Sequence, residues 1–165
     1  MNKPFGQDLY DKYDLLAREI VKTALMGHGW KVEIPDEELY QDGDLIGHVA
    51  DKSMLLEVEL RPAWGDCRWT WPDVHVPARK IASKSKIYFT VNGVGSMMGA
   101  CLMSDIHASP IRKLDNKYSN KEPFFVVSNE RFDFYQLQEG GHWVQTQWLN
   151  GKHSRRPLLS PSRHG

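Results

Sequence analysis

The chain has 165 residues, 21 of them basic and 21 acidic, and 41% are apolar. That length fits one domain with a core of its own, and the even charge balance excludes a histone-like protein held to nucleic acid by bulk charge, though not a locally basic groove. No apolar run reaches the roughly 18 residues of a membrane helix, no charged-then-apolar leader opens the sequence, and Cys67 and Cys101 are too few and too isolated for a disulfide framework or a zinc knuckle, so a cytoplasmic protein with reduced thiols is expected.

Residues 8–27 read as an amphipathic helix, with Leu9, Tyr13, Leu16, Ile20 and Ala24 recurring at three- and four-residue steps and Gly27 or Gly29 as the stop. Residues 30–34 alternate as a short strand ended by Pro35, and an acidic loop follows to residue 42. Residues 44–50 and 53–61 are two β-like runs on either side of Asp51-Lys52. Residues 62–77 form a Pro-punctuated loop, in which Trp64, Trp69 and Trp71 crowd together. A short helix is expected over 77–83, with Pro77 near its first turn, then a strand over 86–91 and a glycine turn at 92–95. Residues 97–106 suit either a strand or a helix, and a strand is preferred. A polar, basic stretch covers 109–121, and strands are expected over 123–127, 132–137 and 143–148. Residues 1–149 thus form one domain. Residues 150–165, with Lys152, Arg155, Arg156 and Arg163 and no acid, read as a disordered basic tail. Helix, strands, short helix and strands again predict an α+β or α/β domain around a mixed sheet.

The two runs around Asp51-Lys52 carry the chemistry. With those residues as the loop, Ala50 pairs with Ser53, which sets Asp44 opposite Glu59 and Ile46 opposite Glu57. Alternation then puts Asp44, His48, Glu57 and Glu59 on one face, and Leu45, Val49, Met54, Leu56, Val58 and Leu60 on the other. Three carboxylates within cross-strand reach repel one another. A solvated strand face is one account of them. A site for a hard divalent cation with oxygen ligands, such as Mg²⁺ or Mn²⁺, is the other.

Glu19 on the first helix, Asp44 in Gly43-Asp44-Leu45-Ile46, and Glu57 and Glu59 in Leu-Leu-Glu-Val-Glu-Leu together resemble the PD-(D/E)XK nuclease superfamily over roughly residues 8–91. The resemblance implies a restriction-endonuclease-like core, a mixed sheet flanked by the N-terminal helix and a short second helix. It implies a Mg²⁺-dependent DNA endonuclease, phage or mobile-element encoded and small enough to work as a homodimer. In that reading Asp44, Glu57 and Glu59 bind the metal, and Glu19 orients a water. The departure is Glu59, which stands where the family carries Lys. Lys80, in Arg79-Lys80 on the following helix, is a substitute that other members of the family use. Arg61, in Glu59-Leu60-Arg61, is a poorer one because it stays protonated. The alternative is an inactive protein of the same fold that binds nucleic acid or a protein partner.

Other side chains extend the expected DNA contact. His75 and Arg79 lie beside Lys80, and Arg112 and Lys113 begin a basic stretch suited to phosphates. Trp69, with Trp64 and Trp71, suits stacking on unpaired bases, although packing of a core, lid or dimer interface is the commoner use of such residues. A third account of the chain is a small structural or inhibitory protein whose Trp loop is its contact surface. Gly93-Val94-Gly95 lacks the third glycine and the helix of a dinucleotide fingerprint, so no nucleotide cofactor is expected.

Overall fold

The computed structural model describes residues 4–36, 44–113, 122–146 and 157–165, with side chains from residue 14 onward. The side chains of Leu9 and Tyr13, most of the acidic loop, Lys117, Lys121, Trp148, Lys152, Arg155 and Arg156 lie outside the described residues. The first helix, α1, runs Pro4–Gly27. Its buried stripe is Ala17, Val21, Ala24 and Leu25, a helical spacing. Leu16, expected on that face, is 48% exposed. The apolar face is therefore turned from the expected one, because small Ala17 lets the helix lie close to the sheet. Gly29, at φ +94°, ends the helical turn in the left-handed region that glycine adopts most readily.

Ten strands follow among the described residues: β1 Lys31–Glu33, β2 Leu45–Val49, β3 Lys52–Arg61, β4 Asp73–Pro77, β5 Ile87–Asn92, β6 Met97–Leu102, β7 Ile111–Lys113, β8 Pro123–Ser128, β9 Asp133–Leu137 and β10 Trp143–Gln145. Seven of them make one mixed sheet in the order β1-β2-β3-β5-β6-β9-β10, and β4-β8-β7 make a small second sheet. The β2–β3 and β5–β6 pairs are antiparallel, whereas β3 and β5 are parallel. A parallel pair needs a long crossover. Here it carries the Trp loop, β4 and a 3-10 turn at Ala78–Ala82. Residues 62–77, expected as loop throughout, thus contain a strand. Residues 97–106 divide into β6 and a short helix, α2 Met103–His107.

Side chains of β5 alternate between two cores, which is why all six of its residues are buried. Ile87, Phe89 and Val91 pack with α1, Trp30 and Leu56. Tyr88 points the other way, into a cluster of Trp64, Val74, Val76, Phe125 and Phe132 under the small sheet. The central sheet is thus covered on both faces.

Residues 157–165, part of the segment expected as a disordered tail, join the first of these cores. Leu158 and Leu159 are 1% and 0% exposed. The Leu158 amide donates to Asp133 Oδ2 at 2.8 Å, and the Trp30 indole N–H donates to the Leu159 carbonyl at 2.9 Å. The basic composition of 150–165 hid a Leu-Leu pair with buried partners waiting for it.

Candidate functional site

The β2–β3 hairpin turns at Ala50-Asp51, both with positive φ, at 49° and 63°. That is the signature of a two-residue turn matched to strand twist. Val49 therefore faces Lys52, and Leu45 faces Leu56. The turn lies one residue earlier than expected, so continuing the ladder sets Asp44 opposite Glu57 rather than Glu59. Both chains shift together, so every side chain keeps its expected face. Leu45, Val49, Leu56 and Val58 are buried, and Glu57 and Glu59 lie partly exposed on the opposite face.

Asp44 is locked into this end of the sheet. Its amide donates to the Leu56 carbonyl at 2.9 Å, and its Oδ2 accepts from the Val58 amide at 2.8 Å. Burial pushes the Asp44 carboxyl up to about 6, the Val58 hydrogen bond opposes this, and the charges of Glu57 and Asp14 add to the rise. Across the pair, Lys80 Nζ lies 2.8 Å from Glu57 Oε2, and the Ser83 hydroxyl donates to Glu57 Oε1 at 3.2 Å. Burial works against the Lys80 ammonium. The hydrogen bond and charge of Glu57, helped by Glu59 and Asp44, outweigh it and hold Lys80 above its ordinary value. The crossover that makes β5 parallel to β3 thus brings a lysine onto the acid pair.

Glu59 belongs to a different network. It lies 3.9 Å from Arg61 Nη2 and also interacts with the hydroxyl of fully buried Tyr88, whose ionisation burial pushes far up. Arg61 donates to Thr90 Oγ1, the Tyr88 hydroxyl and the His75 carbonyl at 2.8, 3.0 and 2.7 Å. Burial disfavours its charge, but Tyr88 and Glu59 more than offset that. Arg61 also sits 5.7 Å from the Trp69 ring centre, in cation–π range.

The remaining predicted residues spread out. Glu19 is exposed on α1, and the helix acid that acts on Asp44 is Asp14, ion-paired with Arg18 at 3.4 Å. His48 is held by Ser53 Oγ at 2.7 Å, toward the turn rather than the acid pair. Arg79 pairs with Glu122 at 3.1 Å. Arg112 and Lys113 are exposed on β7, in the small sheet. His75 lies beside Arg61, where burial lowers its pKa, Asp73 works against that and Arg61 adds to it. Trp69 stands edge-on to Trp64 and Trp71 and stacks on Phe134. The Trp loop, Asp73, His75 and Arg61 enclose a cavity of about 490 Å³.

Sequence reasoning missed Asp14, Ser83 and Tyr88. Asp14 was legible from the correct helix face, since it lies three residues before Ala17. Ser83 and Tyr88 had no sequence signal, because each acts through a crossover whose path the sequence does not state.

Among the described residues no three His, Cys, Asp or Glu side chains converge as a ready-made metal site. The chain matches no family model, no curated protein and no solved structure.

Proposed function

We propose that the protein is a divalent-cation-dependent DNA nuclease with a restriction-endonuclease-like core. One observation carries this reading: Asp44, one residue before β2, and Glu57 on β3 interact through their charges, and Lys80, delivered by the β3-to-β5 crossover, sits 2.8 Å from Glu57. The helix, three-strand antiparallel run and parallel fourth strand support it. So does Lys80 itself, which supplies the positive charge absent at Glu59.

The donor chemistry fits Mg²⁺ or Mn²⁺. Two carboxylate ligands, completed by phosphate and water oxygens, are how Mg²⁺ is usually held. A carboxyl raised to about 6 by burial beside a second acid has an unmet need for positive charge. When bound, such a cation acidifies a water and spreads charge off the phosphate. Asp44 is positioned by the Val58 amide, and Ser83 fixes one Glu57 oxygen while Lys80 holds the other. Lys80, charged throughout the neutral range, would turn from Glu57 to a phosphate oxygen. Asp44 must lose its proton to hold a cation, so metal affinity weakens as pH drops through about 6.

Purified protein incubated with supercoiled, linear or single-stranded DNA tests this, in Mg²⁺, Mn²⁺ or EDTA. Metal-dependent cleavage is expected, with losses of about 100-fold or more in Asp44→Ala, Glu57→Ala and Lys80→Ala. Cleavage that survives in Asp44→Ala or Glu57→Ala rules out this site. A second reading, DNA binding without cutting, is favoured by the engagement of Glu59 with Arg61 and Tyr88, which leaves two carboxylates at the pair. DNA binding in EDTA with no cleavage in either metal would select it.

A further inference from the structure

We infer that the Trp-lined cavity receives one unpaired nucleobase of the DNA strand that lies across the acidic pair, an inference that rests on the nuclease reading for the identity of that strand. The cavity, about 490 Å³, falls within the roughly 300–1,000 Å³ of small-molecule sites. Its aromatic walls are already in place. Trp64 is buried and Trp69 is clamped between Trp64 and Phe134, whereas Trp71 at the mouth is 50% exposed. A large exposed aromatic ring beside a formed cavity suits a flat, stackable guest.

The polar groups narrow the guest further. Arg61 is paired with Glu59 and gives its Nε and Nη2 donors to Thr90, Tyr88 and the His75 carbonyl. Asp73 also lines the cavity, so a phosphate or carboxylate would meet an acid there, beside an arginine already paired with Glu59. His75, its pKa lowered by burial, offers a neutral ring with one donor and one acceptor. The Trp69 indole N–H is buried and has no hydrogen-bond partner among the described residues, a costly state in a ring that lines the cavity. An uncharged planar ring carrying both donors and acceptors answers all of these, and nucleobases are such rings.

The position agrees. Glu57, Glu59 and Arg61 alternate along one face of β3, so the acid pair and the cavity wall lie about 13 Å apart, roughly four base steps at ~3.4 Å. One strand can therefore lay a phosphate at Asp44 and Glu57 and a base in the cavity. This would bias the protein toward single-stranded, bulged or mismatched DNA, whose bases need no costly unpairing.

The test is binding in EDTA, read by strand anisotropy. A 12-mer of deoxythymidine is compared with the same strand carrying abasic sugars throughout. Wild type should prefer the intact strand about tenfold, the scale of one or two stacked bases. Trp71→Ala should erase that preference while leaving abasic-strand affinity unchanged, and Trp71→Phe should restore most of it. Equal affinity for the two strands in wild type, or a preference that persists in Trp71→Ala, overturns the inference. Cleavage by wild type in Mg²⁺ with no base preference would sink the cavity reading and spare the nuclease. Base preference lost in Trp71→Ala but with no cleavage in either metal would sink the nuclease and sustain the cavity. Failure to bind either strand in EDTA overturns the inference, and the nuclease reading falls with it only when neither metal supports cleavage.

Discussion

Replacing Asp44 with Asn should make the folded protein more stable at neutral pH. In the native state the Asp44 carboxyl is raised from 3.8 to about 6, first by burial and then by Glu57 and Asp14. Each unit is worth about 1.4 kcal/mol, so the ionised group destabilises the fold by about 3 kcal/mol. The sign follows from proton counts. Well below the ordinary value of 3.8 the carboxyl is protonated in both states and there is no penalty. Between about 4 and 6 the unfolded chain loses its proton first, so wild-type stability falls as pH rises, and above 6 the deficit is constant. Asn keeps the volume and can still accept from the Val58 amide, but its NH₂ brings donors that must be satisfied in this partly buried place, which takes back roughly 1 kcal/mol. The net gain is about 2 kcal/mol, or a rise in Tm of about 4–8 °C for a domain of this size. Urea melts of both proteins at about pH 4, 5, 6 and 7.5 measure it. The advantage of Asp44→Asn should be smallest at pH 4, grow through pH 5 and 6, and reach its full size at pH 7.5. A difference that stays flat across that range refutes the account of Asp44 as a strained, buried acid. At pH 7.5 added Mg²⁺ should raise the Tm of wild type and not of the variant, since only wild type has the paired acids.

Leu159→Ala removes a fully buried side chain and should cost about 2–5 kcal/mol by chemical denaturation. Removing residues 157–165 should cost at least as much and shift the emission of Trp30, whose indole loses its carbonyl partner. Gly47→Ala should destabilise by about 1–3 kcal/mol, because a methyl there would meet the Trp30 ring at 2.9 Å and Leu56 at 3.1 Å. Conversely, Ala50→Asn combined with Asp51→Gly should stabilise by about 1 kcal/mol in a thermal melt, since both positions have positive φ.

The hairpin was largely legible because its apolar alternation, from Leu45 to Val49 and from Leu56 to Val58, admits one choice of faces. The turn position was less so. Ala50-Asp51 carries no glycine, and only the backbone shows that both residues take positive φ. The acid pair followed from alternation, but its partner across the ladder did not, since moving the turn by one residue exchanges Glu59 for Glu57. The helix acid was misplaced for a related reason. Large residues at 16 and 20 outweighed Ala17 in the periodicity, although the small residue lies nearer the sheet. Lys80 was legible as a basic residue of the short helix after the hairpin, in Arg79-Lys80. The roles of Tyr88 and Ser83, and the burial of Leu158 and Leu159, depend on contacts between distant parts of the chain, which local pattern does not encode.

The clasp of Leu158 and Leu159 on Trp30 also bears on how the chain matures. The core that begins with Ala17 in α1 is not sealed until Leu159 has been made. At synthesis rates of about 5–20 residues per second, the intervening stretch leaves α1 and the central strands without their last wall for roughly 10–30 s. Contacts of such long sequence separation form slowly, so this core closes late. During that interval the uncovered sheet, with its apolar strands, is the form of the molecule most in need of a chaperone.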